Sequence, residues 1–199
     1  VRSRRQRQMC IRDSVCTYQA VSGSGKDGVE ELLQQSSAYI DQRSIDKKVY
    51  PKQIAFNSIP FVDCFLENNY TREEMKMVWE THKILDENIS VNPTAVRVPV
   101  LVGHAESIYI ETEKEIDIEL AKNCLNEFAG ISVIDDVQEV DFPTSFEHGH
   151  GTDDVYVGRI RKGLSKNNSL NLWVVADNVR KGAALNSIQI AENLVGSEM

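Results

Sequence analysis

Two ionisable side chains bracket one apolar stretch, Arg97-Val-Pro-Val-Leu-Val-Gly-His104. A guanidinium grips a carboxylate through paired hydrogen bonds, and an imidazole moves protons near neutral pH, so the two together suit an acidic substrate. On a regular strand these two positions face opposite sides, whereas a bulge at Pro99 or a turn at Gly103 brings both to one cleft. By residue type alone, the commoner outcome is an exposed histidine and an ion-paired arginine. Glu73 and Lys76 have the i,i+3 spacing of a solvated helical ion pair, which by itself is worth little. Gln19 closes a strand-like run just before Ser22-Gly-Ser-Gly25, where its amide meets either a ligand or solvent. His148-Gly-His150 lacks a third nearby ligand and reads as a solvent loop rather than a metal site. Cys10, Cys16, Cys64 and Cys124 form no CxxC pair, and none has the basic or helix-terminal setting of a nucleophile.

The elements that must position these groups are legible from periodicity. Val15–Val21 reads as a strand entering the glycine turn, and a helix is predicted over 28–43 with Val29, Leu32, Leu33, Ser36 and Ile40 as its buried stripe. Lys47–Ile59 reads as irregular. Thr71-Arg-Glu-Glu74 has capping-box spacing into a helix that runs to about Leu85. Strands are predicted at Val96–Val102, Ser107–Thr112, Ile131–Ile134, Val155–Ile160 and Leu170–Ala176. Helices are predicted at Glu119–Phe128 and at 179–194, the latter with Ala184, Ile188 and Ala191 on one face. Strands and helices mix without βα alternation, so the expected fold class is α+β: one mixed, mostly antiparallel sheet with helices packed on one face. The other face, expected to be apolar, then needs a cover, which a partner subunit can supply. Gly23-Ser-Gly25 lacks the GxGxxG continuation, so a complete dinucleotide-binding domain is not expected.

The 199 residues carry a net charge of −8, which argues against general nucleic-acid binding, and no apolar run is long enough for a helical membrane span. Unpaired cysteines and the lack of a secretory signal favour a reducing, cytoplasmic setting. The charge is uneven: residues 1–14, VRSRRQRQMCIRDS, hold a local +4, and the remainder is −12. MCIRDS is what ATG TGT ATA AGA GAC AGN encodes when N is a pyrimidine, and that DNA resembles a transposase adapter used in sequencing libraries. The domain organisation expected is therefore a non-native adapter-derived tail at 1–14 and one domain at 15–199. A nucleic-acid arm is the competing reading of the tail, and it predicts salt-sensitive DNA binding lost on removing those residues.

Seven ordered segments then carry a resemblance. They are Thr17–Gly25, Ile54–Pro60, Glu73–Lys76, Trp79–Leu85, Arg97–His104, Asp154–Ile160 and Leu172–Asn178. Together they resemble the C-terminal catalytic and dimerisation domain of bacterial aspartate-semialdehyde dehydrogenases over about 15–196. The resemblance implies reductive dephosphorylation of L-aspartyl 4-phosphate to L-aspartate 4-semialdehyde with NADPH, in lysine, threonine and methionine synthesis, by a homodimer or tetramer. It implies His104 as general acid/base, Arg97, Gln19, Glu73 and Lys76 as substrate and phosphate ligands, and Ser22, Gly23 and Asn178 at the NADP site. No metal, nucleic acid or membrane is implied. The family's nucleophilic cysteine lies in a Pro-Asn-Cys-Thr-like segment upstream of Thr17, with the Rossmann half, and neither is in this chain. The chain alone is therefore expected to be inactive. The alternative reading is a non-catalytic dimerisation module that keeps the fold without the cofactor domain. Reductases of N-acetylglutamyl phosphate and glyceraldehyde-phosphate dehydrogenases share the chemistry but not the wording of Arg97–His104.

Overall fold

A computed structural model describes residues 10–196. Its strands are β1 (Cys10–Gln19), β2 (Ser90–Arg97), β3 (His104–Thr112), β4 (Ile131–Val133), β5 (Val155–Lys162) and β6 (Ser169–Ala176). Its helices are α1 (Gly25–Ile40), α2 (Arg72–Ile84), α3 (Ile118–Asn126) and α4 (Leu185–Gly196). A 3₁₀ turn at Val21–Ser24 leads into α1, and a π-helical turn at Arg180–Ala184 leads into α4. The strands form one sheet in the order β2-β1-β3-β6-β5-β4. The two outermost pairs are parallel and the three inner pairs antiparallel, so the mixed, mostly antiparallel α+β class holds. The tail expected at 1–14 lies outside the described residues over 1–9, and Cys10–Ser14 continue β1.

Pairing register sorts the side chains into two faces. Gln19, Arg97, His104, Glu106, Ile108 and Leu172 share one of them. On that face Ile118 and Leu125 of α3 pack with Ile108, Ile110, Val157, Leu170 and Leu172, while α2 lies along β2. The opposite face is not the apolar surface expected. It carries Cys16, Tyr18, Ser107, Tyr109 and Trp173, with the Tyr18 and Trp173 rings 5.4 Å apart.

Several boundaries shift for identifiable reasons. Val96–Val102 is not a strand: β2 ends at Arg97, and 98–103 form a loop that closes at Gly103 with φ +90°. A Cβ there would sit 2.6 Å from the carbonyl oxygens of both Ser145 and Gly149, so conformation and space both require glycine. The strand is carried earlier, through Pro93, because β2 is an edge strand and tolerates the missing donor.

Helix α1 buries Leu32, Ala38, Glu31 and Gln35, while Leu33 and Ile40 of the expected stripe are exposed. The two polar residues are inside because the irregular segment after α1 has no strand partner. Glu31 accepts the backbone N–H groups of Lys48, Val49 and Tyr50, and Gln35 Oε1 accepts those of Ile54 and Ala55. Val21, Leu32, Tyr50, Ile54, Ala55 and Ile59 close over this arrangement as a separate apolar cluster. The buried face expected of Ala184, Ile188 and Ala191 does not form: Ala184 ends the π-helical turn rather than lying in α4, and it is exposed, as are Ile188 and Ala191 of α4. Among the described residues, no helix is long and apolar enough to cross a membrane.

Candidate functional site

Arg97 ends β2 and His104 begins β3, so the two reach one face from different strands rather than from a bulged single one. Both are fastened to Ala20, the residue that follows β1. Arg97 Nη1 donates to the Ala20 carbonyl at 2.6 Å, and the Ala20 N–H donates to His104 Nδ1 at 3.1 Å. A donor at Nδ1 requires the ring's lone pair there, which leaves the neutral imidazole's proton on Nε2. Burial, with Arg97 nearby, pulls His104 down to about 4, so at neutral pH the ring is uncharged.

Arg97 is only 5% exposed. Burial also draws its value down, but a guanidinium stays cationic at physiological pH. Among the described residues, no carboxylate stands within ion-pair distance of it, although burying a charge is costly without a partner.

Helix α2 delivers the second pair. Its first turn is capped by a reciprocal box between Thr71 and Glu74. From that turn Glu73 Oε1 accepts from Gln19 Nε2 at 3.1 Å, and Glu73 Oε2 accepts from Lys76 Nζ at 3.0 Å. Burial pushes the Glu73 carboxyl up, but these hydrogen bonds and the nearby Lys76 and Arg97 charges outweigh it and hold it below its usual value. The bond to Glu73 raises Lys76. Glu73 is thus an anion in contact with Gln19 at the end of β1, which the i,i+3 spacing alone could not indicate. An ammonium has three donors, and Glu73 takes one of them.

The glycine turn forms the rim. Val21 and Ser22 donate their N–H groups to Val100 and Leu101 of the 98–103 loop. Ser22 Oγ and the Gly103 N–H both donate to Asn178 Oδ1, at 3.1 and 2.9 Å. The Asn178 carbonyl is therefore engaged by the protein, and its amide NH₂ is the part left to donate to a ligand. A Cβ on Gly23 would stand 2.8 Å from Arg97 Nη1 and 3.4 Å from His104 Nε2. Glycine there keeps open the space above both groups. Gln19, Ser22, Gly23, Glu73, Lys76, Arg97, His104 and Asn178 thus stand around one rim.

Three contributors escaped sequence reading. The Ala20 backbone has no side-chain signature. Asp177, next to Asn178, is buried and accepts N–H groups from Gly151, Val179 and Arg180, tying the residue after His150 to the start of the π-helical turn. Glu74 was visible only as a helix cap, although it also accepts from Ala95 in β2. His148 Nδ1 accepts from the Thr144 backbone, and no cluster of potential metal ligands occurs among the described residues.

Comparison with known proteins places this geometry. Residues 8–181 match the family described as "Semialdehyde dehydrogenase, dimerisation domain". The aspartate-semialdehyde dehydrogenase of Shewanella violacea is 55% identical over 185 residues, covering 92% of this chain and 54% of that protein. The Bacillus subtilis protein of the same name is 46% identical over 189 residues, covering 90% and 54%. The solved structure of aspartate semialdehyde dehydrogenase II from Vibrio cholerae, complexed with ASA, superposes with a TM-score of 0.91 at 49% identity, covering 96% of this chain and 56% of that one. The chain spans about half the length of the curated relatives it matches.

Proposed function

The chain belongs to the semialdehyde dehydrogenase dimerisation-domain family, and from this we propose that it is the substrate-binding and dimerisation half of an aspartate-semialdehyde dehydrogenase. The observation that carries the reading is Arg97, a buried cation with no carboxylate within ion-pair distance among the described residues, which the carboxylate of aspartyl phosphate would pair. Lys76 would take the phosphate, Glu73 and Gln19 would hold the remaining polar groups, and His104 would serve as general acid/base. Neutral His104, with its proton on Nε2, can donate a hydrogen bond to the oxyanion of a tetrahedral intermediate. To act as general acid it would first have to gain a proton, as from the attacking thiol, and return it from the imidazolium.

The glycine turn fits a nicotinamide cofactor, because Gly23 leaves space above Arg97 and His104 that a side chain would fill. Ser22, Gly23 and the Asn178 amide would hold NADP there, and the bound cofactor would supply the hydride. The thiolate nucleophile would come from the part of the relatives' length that this chain does not span. All four cysteines are free, which agrees with a reducing cytoplasm. Residues 1–14 would be adapter-derived in sequence, although Cys10–Ser14 extend β1 and pair with β2, so that stretch does not lie outside the folded domain.

Two assays test the reading. The purified chain is expected to show no NADPH-dependent turnover of aspartyl phosphate, and turnover abolished by replacing one of its own cysteines would overturn the assignment. A chimera carrying residues 15–199 in place of the matching half of the Shewanella violacea protein is expected to be active. Within it, His104→Asn should lower kcat about 10²- to 10⁴-fold with little change in KM. A folded but inactive chimera would count for the non-catalytic module instead.

A further inference from the structure

We infer that Glu74 is a positioning residue for the substrate site, holding the first turn of α2 at a fixed height against the β2 edge. The inference rests on the proposed roles of Glu73 and Lys76. Glu74 is buried, and its two oxygens face different elements. Oε2 accepts the Thr71 N–H at 2.7 Å, closing the helix cap, while Oε1 accepts the Ala95 N–H at 3.0 Å.

Ala95 lies two residues before Arg97 on the outer edge of the sheet, where no further strand among the described residues takes its donor. The next outward groups on that edge, the Arg97 N–H and carbonyl, are taken by Ile59. Glu74 thus occupies the place of a missing strand residue, and through one carboxylate the helix end is bonded to the strand that carries Arg97. Glu73 and Lys76 leave the same helical turn, so their distance from Gln19 and Arg97 is set by this link. A helix cap alone would need only Oε2. The second bond, to Ala95, is what ties cap and sheet together.

Glu74→Gln keeps the size but presents an NH₂ to one of two N–H donors, so one bond is lost. Leu32→Val, in the separate cluster under α1, serves as a control that lowers stability without touching either element. Nitrogen-15 NMR on the whole chain, well below the melting transition, would read Ala95 amide exchange, the Gln19 side-chain NH₂ signals, and affinity for inorganic phosphate. In Glu74→Gln the Ala95 amide is expected to exchange at least tenfold faster, the Gln19 signals to shift, and phosphate to bind about tenfold more weakly, with none of these in Leu32→Val. Unchanged Gln19 signals and phosphate affinity in Glu74→Gln would overturn the inference. If the unmodified chain fails to bind phosphate, the role given to Lys76 falls, and the Gln19 and Ala95 signals alone decide the positioning role.

Discussion

At His104 a backbone N–H fixes which ring nitrogen carries the proton, while burial and Arg97 remove the positive charge. A histidine whose folded value lies below its unfolded one stabilises the fold at pH above the unfolded value, and this contribution fades as pH falls from about 6.5 towards the folded value. The His104 ring signals are therefore expected to titrate near pH 4 in the folded chain, and Arg97→Ala should move that midpoint upward. A midpoint near that of a free histidine would contradict the burial argument. Residue types alone supplied Arg97 and His104 as candidates, because few side chains combine anion binding with proton transfer. They could not supply Ala20, since a backbone amide and carbonyl leave no mark in the choice of residue. Glu73 and Lys76 were legible as a pair but not as a site. Only the fold brings Gln19 to the same carboxylate.

At the scale of elements, capping chemistry was the clearest signal: Thr71 and Glu74 form both bonds of the box. Edges were harder. Strand β2 hid behind Pro93, and the buried face of α1 hid behind Glu31 and Gln35, which stand in for strand partners of a neighbouring loop. Periodicity reports burial against apolar surface and has no term for a carboxylate that terminates a backbone.

The start of β1 shows the converse, a polar residue where the pattern calls for an apolar one. Asp13 shares a face with Val15 and Thr17, its Oδ1 is buried without a hydrogen-bond partner, and desolvation raises its carboxyl. A carboxyl with a raised folded value costs stability at neutral pH and returns it as pH falls through that value. Asp13→Val should therefore raise the free energy of unfolding, measured by urea at pH 7, by about 1 kcal/mol, discounted for partial solvent access, and should gain less at acidic pH. A loss of stability at pH 7 would show that Asp13 belongs where it is.

For the whole molecule, α2 and α3 cover one side of the sheet, and the segment 143–149 covers part of the other, against Trp173 and Val175. The other side carries Tyr18, Tyr109 and Trp173 beside Ser107 and Cys16, and aromatic residues of this kind are enriched at subunit contacts. The family's description as a dimerisation domain suggests a homodimer, and a second copy is the expected cover. Gel filtration at micromolar concentration should give a dimer, and Ser107→Lys should shift it to monomer while leaving the His104 titration in place. A monomer for the unmodified chain would count against that cover. One-sided helix cover was legible in the order of elements. The aromatic composition of the open face was not, because it comes from residues spread over three strands.

The double attachment at Ala20 also bears on how such a site withstands genetic drift. Both polar contacts that orient Arg97 and His104 run through the main chain of one residue. Replacing its methyl group by any other side chain except proline leaves donor and acceptor in place, so of the amino-acid substitutions at that position only the one to proline deletes a bond, the N–H to His104. The constraint that remains is one of volume, since Ala20 is fully enclosed. A position that looks chemically silent thus protects the site's alignment from substitution, and larger side chains there would be felt as displacement of the two groups rather than loss of their bonds.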